Sequence, residues 1–264
     1  ILDIGGTRAD VAFIRDEQPQ FGVGEVIGEF PIFIPSVAVT SIGAGGGSIA
    51  WVDELGILRV GPESAGSKPG PACYGNGGES ATITDAFVVL GYIGQFDLGY
   101  SAIEIDASKA CSAVNVLAEK IAKSTEETAQ AIVDIAVSGM YMEISKLISR
   151  YAVDPREFAL QAFGGAGPMM ACFVAKELGK YGVTANAISP GANTRMTQSV
   201  PDSTRAMRAG VFKPAEEDHF IYDPEDVAPV VGWLCTDAAS HVNGEIVHAV
   251  GNSISLFNGY ETRR

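Results

Sequence analysis

The sequence predicts an α/β protein whose sheet begins with antiparallel strands and continues with parallel ones. Three observations predict this class: apolar runs joined by a glycine turn at the start, helical periodicity through the middle, and strand-like runs that return between the helices. Apolar residues make up 47% and charged residues 19% of the 264 residues, which is typical of a chain that folds around a core.

The first strands are predicted at residues 1–4 and 11–14, where two apolar runs flank Gly5-Gly6. Further short strands are expected around residues 32–34, 37–42 and 49–52. The stretch 43–78 is dense in Gly and Pro, which excludes a regular helix or a central strand and predicts a long shaped loop. Loops of that length are usually functional or disordered.

Two long helices follow. The first is predicted from an apolar face at four-three-four spacing, formed by Ala110, Val114, Leu117 and Ile121. Ser124 and Glu127 have the spacing of a capping box and predict the start of the second helix. The remaining elements are a strand at 158–163, a helix ending near 178, a buried strand at 183–188 broken by Ser189-Pro190-Gly191, a helix capped by Asp223, and strands at 245–250 and 253–257.

The charge and the apolar pattern exclude several classes of protein. A formal net charge of −14 repels phosphate backbones, so no nucleic-acid partner is expected. No apolar run reaches the ~18 residues of a membrane-spanning helix, and the first residues do not form a signal peptide. The predicted location is therefore the cytoplasm, without a membrane partner.

Histidines and cysteines limit the chemistry further. The histidines are His219, His241 and His248. Because all three lie in the tail, neither a histidine metal site nor a Ser-His-Asp triad is expected earlier in the chain. The cysteines are Cys73, Cys111, Cys172 and Cys235. They form no Cys-x-x-Cys pair, so we expect them to be reduced and buried.

The turn of the first hairpin is a candidate phosphate site. In Asp3-x-Gly5-Gly6-Thr7-x-x-Asp10, the two glycines let backbone amides approach phosphate oxygens. Thr7 adds a hydroxyl donor, and Asp3 or Asp10 can hold a metal-bound water beside the phosphates. The alternative is a hairpin whose glycines serve only the turn.

A second glycine turn, Gly164-Gly165-Ala166-Gly167-Pro168, lies between a predicted strand and a predicted helix. Free amides at a helix amino terminus favour a nucleotide. A helix that packs closely on a sheet also needs glycine, so this turn has a structural alternative as well.

The segments between these turns resemble the hydantoinase A/oxoprolinase family. The resemblance extends from Ile1 to about Leu178. Its most specific segments are Ser41-Ile42-Gly43-Ala44-Gly45-Gly46-Gly47-Ser48, then residues 58–66, then Pro69-Gly70-Pro71-Ala72-Cys73-Tyr74-Gly75, then Thr82-Ile83-Thr84-Asp85-Ala86.

This resemblance implies an actin-like, ribonuclease-H-type lobe that uses ATP with Mg²⁺ to open or carboxylate a small-molecule substrate. The substrates of the family are hydantoins, 5-oxoproline and ketones. The implied phosphate hairpin comprises Asp3, Gly5, Gly6, Thr7 and Asp10, and the implied adenosine-side loop comprises Gly164, Gly165 and Gly167. No catalytic residue and no separate metal site is assigned.

Two departures from the family pattern are visible. The family has an earlier lobe with its own Asp-x-Gly-Gly-Thr hairpin, whereas this chain starts at Ile1 inside the second one. We therefore expect a missing N-terminal lobe or a partner subunit, and apolar surface exposed by its absence predicts a homo-oligomer. Met170 also stands where the family commonly has His.

The tail resembles the end of a short-chain dehydrogenase. The resemblance rests on Tyr181-Gly182-Val183-Thr184-Ala185-Asn186-Ala187-Ile188-Ser189-Pro190-Gly191, on Asp223–Ala228 and on Asn243-Gly244-Glu245. It implies a Rossmann-type strand-helix-strand segment and a composite chain, with domains at residues 1–178 and 179–264. The catalytic Tyr and Lys positions of that family fall at Leu160 and Gly164, which cannot transfer protons.

Three functions remain open. The first is an ATP-dependent hydrolase of cyclic amides or a related carboxylase. The second is an NAD(P)-dependent oxidoreductase, which the tail alone suggests. The third is a non-catalytic composite or an esterase-like hydrolase of unrelated mechanism, although no Gly-x-Ser-x-Gly elbow is present.

Overall fold

The computed structural model describes residues 1–16, 18–22, 25–27, 30–32, 36–93, 105–164, 174–175, 178–192, 224–251 and 253–256. Within these ranges the strands are β1 (Leu2–Ile4), β2 (Ala9–Ala12), β3 (Ile14–Arg15), β4 (Gln18–Pro19), β5 (Phe21–Gly22), β6 (Glu25–Ile27), β7 (Phe30–Ile32), β8 (Ser36–Val37), β9 (Val39–Ile42), β10 (Ser48–Val52), β11 (Leu58–Ser64), β12 (Leu160–Phe163), β13 (Ala185–Gly191), β14 (Ile246–Val250) and β15 (Ser253–Leu256). The α-helices are α1 (Ile83–Val89), α2 (Ala107–Ile121), α3 (Thr125–Tyr151) and α4 (Ala228–Leu234). Short 3₁₀ turns lie at Ala72–Tyr74, Pro155–Glu157, Gly179–Tyr181, Pro224–Val227 and Asp237–Ala239.

Seven of the strands form one mixed sheet in the order β15-β14-β13-β12-β1-β2-β9. β1, β12, β13 and β14 are parallel, while β2, β9 and β15 pair antiparallel with their neighbours. The predicted α/β class, with a sheet that is antiparallel at its start and parallel afterwards, is confirmed. The tail strands extend this same sheet, because β13 pairs with both β12 and β14.

Side-chain alternation gives β1 and β2 an apolar face and a polar face. The buried set is Leu2, Ile4, Ala9 and Val11, which form one hydrophobic cluster with side chains of α1, α2 and α3. Asp3 and Asp10 alternate with this set and therefore lie on the opposite face. On that opposite face, α4 covers β13 and β14 through a second cluster around Ile188 and Leu234.

The two long helices follow their local sequence signals. Ala110, Val114 and Leu117 are buried along one face of α2, as their spacing predicts. Ser124 and Glu127 form the predicted capping box at the start of α3. The Glu127 amide donates to the Ser124 hydroxyl at 3.1 Å, and the Ser124 amide donates to the Glu127 carboxylate at 2.9 Å.

The α3 cap can be tested by substitution. Ser124→Ala removes the side-chain acceptor of the Glu127 amide and should lower the free energy of unfolding by about 1 kcal/mol. Ser112→Ala is the matched control, because its exposed hydroxyl only donates back to the Ser108 carbonyl within α2. Urea denaturation of both variants measures the difference, and equal losses would contradict a capping role.

The Gly- and Pro-rich stretch is more regular than the sequence suggests. β10 and β11 form a separate two-stranded antiparallel ribbon within it. The Trp51 indole N–H donates to the Gly61 carbonyl across this ribbon at 2.8 Å. The strand predicted at residues 49–52 is confirmed as part of β10. The prediction of a long loop over the rest of residues 43–78 was wrong, because β11 is a peripheral strand, which tolerates the glycine and proline that a central strand excludes.

The strand predicted to end before Ser189-Pro190-Gly191 continues through Gly191. Its pairing with β12 stops at Ala187, and beyond that point β13 pairs with β14 alone. The Ala187 amide donates towards β14, to the Glu245 carbonyl at 2.9 Å. By alternation, the Pro190 nitrogen faces the side where β12 has already ended, so the missing N–H of proline costs no ladder hydrogen bond.

The cysteines only partly match the expectation of burial. Cys73 is buried, whereas Cys111 and Cys235 are exposed. Cys111 follows the buried Ala110 on α2, and one residue along a helix rotates a side chain about 100° away from the core.

Some predicted features lie outside the described residues. These are Gly165, Gly167, Met170, Cys172, His219 and the cap at Asp223. Over the ranges that are described, no helix combines the length and the apolar character needed to cross a bilayer.

Candidate functional site

A row of polar side chains crosses the sheet beside the first hairpin turn. Asp3 of β1 pairs with Asp10 of β2, and Asp10 pairs with Ser41 of β9. Residues directly opposite on antiparallel strands point to the same face, so the three side chains stand side by side. Asp3 and Asp10 are half-buried and Ser41 is exposed, which leaves the row open to a ligand.

Neighbouring side chains restrain Asp10 on two sides. The Ser41 hydroxyl donates to one carboxylate oxygen of Asp10 at 2.5 Å, and Arg8 Nε lies 3.8 Å from the other. No described residue hydrogen-bonds to the Asp3 carboxylate. Asp10 therefore orients the hydroxyl and the guanidinium, and Asp3 is the carboxylate best placed to bind something else.

The turn itself presents backbone to solvent. It is closed by the Gly5 amide, which donates to the Arg8 carbonyl at 2.9 Å. Gly6, Thr7 and Arg8 are exposed, and a Cβ added at Gly6 would meet nothing within 4 Å. The Gly6 position is thus open on the side where a phosphate could approach.

The start of the second glycine turn lies directly against the first. β1 and β12 are parallel neighbours with Asp3 opposite Phe163, so Gly164 follows β12 at the same edge of the sheet. A Cβ on Gly164 would lie 2.5 Å from the Ile4 carbonyl oxygen and would overlap the Asp3 carboxylate. The two turns are therefore adjacent at Asp3, while Gly165 and Gly167 lie outside the described residues.

The glycine run at residues 43–47 supports the hairpin turn from behind. The Gly46 amide donates to the Gly5 carbonyl at 3.0 Å, and the Gly47 amide donates to the Gly6 carbonyl at 2.6 Å. A Cβ on Gly45 would lie 2.6 Å from the Arg8 nitrogen, closer than any side chain allows. This run needs glycine because its backbone packs on another backbone.

A buried carboxylate fixes the next loop to α1. Asp85 is fully buried and accepts hydrogen bonds from the backbone amides of Ala72, Cys73 and Thr82, and from the Thr82 hydroxyl, at 2.7–3.2 Å. Thr84 of the same turn donates its hydroxyl and its amide to the Gly46 carbonyl, each at 2.8 Å. α1 therefore connects this loop with the glycine run that supports the hairpin.

The thiol beside this carboxylate is unsuited to nucleophilic chemistry. Burial, together with the negative charge of Asp85, raises the pKa of the Cys73 thiol far above its usual range. Because the thiolate is the reactive form, Cys73 is a packing residue at neutral pH.

The structure brings together most of the site residues predicted from the sequence. Asp3, Gly5, Gly6, Thr7 and Asp10 lie on one hairpin, and Gly164 contacts it.

Several neighbouring groups were missed by the sequence reasoning. Arg8 lies between the predicted residues Thr7 and Asp10, but the motif assigns it no role. Ser41 joins Asp3 and Asp10 only through the register of β2 and β9. The spacing of Thr82 and Asp85 is that of a capping box, which could have revealed α1.

These features define a class. It is a mixed α/β protein in which glycine turns and carboxylates gather at the carboxyl ends of adjacent parallel strands, the edge where such sheets bind ligands.

Comparison with known proteins identifies the family. The hydantoinase/oxoprolinase family model matches residues 1–194. The caprolactamase subunit alpha of Pseudomonas jessenii is 36% identical over 191 residues, which cover 72% of this chain and 27% of that protein. The acetophenone carboxylase gamma subunit of Aromatoleum aromaticum is 32% identical over 246 residues, which cover 92% of this chain and 34% of that protein. The chain belongs to the hydantoinase/oxoprolinase family.

A solved structure agrees with this assignment. The crystal structure of ATP-dependent caprolactamase from Pseudomonas jessenii matches with a TM-score of 0.63 and 37% identity, over 67% of this chain and 26% of that one. The chain thus spans about a quarter to a third of the length of these relatives.

The tail has a second, shorter match. The family model of enoyl-(acyl carrier protein) reductase matches residues 165–251 and overlaps the first match. The two positions that would carry proton transfer are Leu160, which is buried in the core, and Gly164 in the turn. The Rossmann-type segment, the NAD(P) alternative and the division at residue 178 stay predictions.

Proposed function

We propose that this chain binds ATP at the hairpin turn and takes part in ATP-dependent hydrolysis of a cyclic amide or in a related carboxylation. One observation carries the proposal: Gly164 lies against Ile4 and the Asp3 carboxylate, so two glycine turns adjoin at the carboxyl ends of parallel strands. When bound, ATP supplies the phosphoryl group and the free energy that make a stable amide or ketone reactive.

The exposed groups of the turn suit a polyphosphate. Backbone amides and the Thr7 hydroxyl are neutral donors that bind phosphate oxygens despite the acidic net charge of the chain. Arg8 adds a planar cation with several donors, and its side chain is 66% exposed. The supporting glycine run holds this turn in one conformation, so little ordering is needed when a ligand binds.

The carboxylates fit Mg²⁺ that arrives with the nucleotide. Among the described residues no three His, Cys, Asp or Glu side chains are grouped to hold a metal ion by themselves. Mg²⁺ is usually held by one or two carboxylates together with substrate phosphates and waters. Asp3 is the better candidate for a water-mediated contact, because Asp10 already accepts the Ser41 hydroxyl.

The finer fold assignment, an actin-like lobe of the ribonuclease-H type, is supported by the strand order β9-β2-β1-β12-β13. Three antiparallel strands followed by parallel ones are what that resemblance implies. Relatives named as alpha and gamma subunits favour a partner subunit that completes the nucleotide site. A homo-oligomer has no such support and stays a prediction.

The test is nucleotide binding by calorimetry with ATP or ADP and Mg²⁺. Gly6→Val should weaken binding by at least about tenfold, equivalent to roughly 1.4 kcal/mol, because the new side chain occupies the open approach to the turn. Its thermal stability should stay near that of the parent chain, since the added Cβ meets no other atom.

Gly139→Val on α3 is the matched control, because a Cβ there also meets nothing within 4 Å. It should leave nucleotide affinity unchanged. The proposal is wrong if the parent chain binds no nucleotide at millimolar concentration, or if Gly6→Val and Gly139→Val bind equally well.

A further inference from the structure

The mixed sheet ends on one side in β15. Among the described residues, the only strand that pairs with β15 is β14, and all four residues of β15 are exposed. An edge strand presents a row of backbone N–H and C=O groups to which another strand can pair. β15 lies beyond both family matches, which end at residues 194 and 251. This edge is therefore a feature of this chain that neither match supplies.

The register of the neighbouring strands decides which backbone groups of β15 point outward. The Ala187 amide of β13 donates to the Glu245 carbonyl. Successive residues of a strand direct their backbone groups to opposite sides, so the odd-numbered residues of β14 bond to β13 and the even-numbered ones to β15. Ser253 and Ser255 are opposite even-numbered residues of β14. These two serines therefore form the hydrogen-bonded pairs within the sheet.

The other two residues of β15, Ile254 and Leu256, direct their amides and carbonyls to the free edge. Their side chains lie on the same face as those of Ala249 and Val247, which are opposite them in the register. Ala249 and Val247 are buried in the cluster beneath α4. Ile254 and Leu256, in contrast, are 61% and 54% exposed. The edge thus combines outward backbone groups with an apolar strip that continues a buried layer.

Charge does not oppose the approach of a second copy to this edge. The whole chain has a formal net charge of −14, yet residues 246–260 contain no Asp, Glu, Lys or Arg. Natural edge strands are commonly protected by lysine, proline or a bulge. β15 contains neither residue, and its register with β14 is continuous. The two uncharged edges of two copies match each other, whereas a highly charged partner would find no counter-charge here.

We propose that β15 is an interface between two copies of this chain, whose β15 strands pair antiparallel about a two-fold axis at Ser255. In this register Ile254 is opposite Leu256 of the second copy, and each such pair exchanges both of its hydrogen bonds because both residues direct their backbone groups outward. Ser255 is opposite the same residue of the second copy. The edge of β15 is therefore complementary to itself.

The side chains fit the same arrangement. A two-fold axis perpendicular to the sheet keeps the α4 layers of both copies on one face, so Ile254 and Leu256 of the two copies form one apolar cluster between them. Each copy uses its β15 once, so the assembly closes as a dimer and does not grow into a fibre. Three strands separate β15 from β1 in the sheet. The interface is therefore independent of the proposed nucleotide turn.

Cysteine cross-linking tests the register. In the proposed dimer the two Ser255 residues form a non-hydrogen-bonded pair with Cα atoms about 4.5 Å apart, a distance that a disulfide can bridge. The two Ser253 residues are offset by four positions, roughly 13 Å along the strands. Under mild oxidation Ser255→Cys should therefore form a disulfide dimer, whereas the matched variant Ser253→Cys should not. Peptide mass spectrometry separates this link from any made by the exposed Cys111 and Cys235.

Sedimentation over a concentration series, without nucleotide, tests the interface itself. The parent chain should form a dimer, and Ile254→Lys should raise its dissociation constant at least about tenfold, because a charge enters the apolar cluster. Val39→Lys is the matched control, since Val39 is 44% exposed on β9 at the opposite edge of the sheet. It should leave the dimer intact. Both side chains are exposed, so thermal denaturation should show both variants to be as stable as the parent.

Three results would overturn the proposal. The first is a parent chain that stays monomeric at every concentration. The second is a dimer that survives Ile254→Lys, or that Val39→Lys dissociates equally well. The third is a disulfide that forms as readily at position 253 as at position 255, which would mean that the two strands do not meet in the self-complementary register.

Discussion

Gly164→Ala is expected to lower the free energy of unfolding by about 2–5 kcal/mol and to abolish nucleotide binding. Gly164 has a φ of +93°, which L-residues rarely adopt. Its new Cβ would lie 2.5 Å from the Ile4 carbonyl oxygen and 2.8 Å from the Ile4 carbonyl carbon. Because these are backbone atoms, relief requires the two turns to move apart, and the proposed nucleotide site depends on their adjacency.

Gly56→Ala separates backbone strain from the steric effect. Gly56 also has a positive φ, +76°, but a Cβ there meets nothing within 4 Å. It should cost only the conformational strain, about 1–2 kcal/mol, and leave nucleotide binding intact. Urea denaturation and calorimetry measure both quantities. If Gly164→Ala and Gly56→Ala lower the free energy of unfolding equally, Gly164 does not lie as close to β1 as the structure shows.

The parts of the fold that the sequence predicts are those with local causes. The capping box of Ser124 and Glu127 joins residues three apart, and the buried face of α2 repeats every three or four residues. Both patterns are complete within a short window, so no tertiary information is needed to recognise them. The same holds for the strands predicted at 245–250 and 253–257, which pair as β14 and β15 with Val250 opposite Ser253, three residues further along the chain.

Only part of the candidate site can be predicted from the sequence, because its other residues join it through long-range strand pairing. Asp3 and Asp10 share one hairpin, and their motif identifies them. Ser41 joins them through the register of β2 and β9, and Gly164 does so through the parallel pairing of β1 and β12. Register depends on how the whole sheet assembles, which no local pattern specifies.

Two errors have the same origin. The ribbon of β10 and β11 and the continuation of β13 through Pro190 both place glycine or proline inside strands. Propensity excludes these residues from central strands only. Tertiary pairing decides whether a strand has a neighbour on a given side. A rule based on composition alone therefore predicts more strand ends at glycine and proline than the structure contains.

Asp85→Asn is expected to destabilise the chain by about 2–4 kcal/mol, although it changes one atom. One carboxylate oxygen of Asp85 accepts from the Cys73 amide, and the other accepts from the Ala72 amide and from Thr82. In either orientation, the new NH₂ group faces at least one backbone N–H. A donor then opposes a donor in a fully buried site, and the loop loses its anchor to α1.

Cys73 reports the same event locally. In the parent chain this thiol is buried and its pKa is raised by burial and by the charge of Asp85, so it should resist alkylation at neutral pH. Asp85→Asn opens the loop and removes that charge, and both changes make Cys73 more reactive.

Glu54→Gln, at an exposed turn, is the control and should stay within about 0.5 kcal/mol of the parent. If Asp85→Asn is as stable as Glu54→Gln and Cys73 stays protected, Asp85 does not anchor the loop. If Asp85→Asn does lose stability, nucleotide affinity should fall with it, because Thr84 connects α1 through Gly46 to the carbonyl of Gly5 in the hairpin turn.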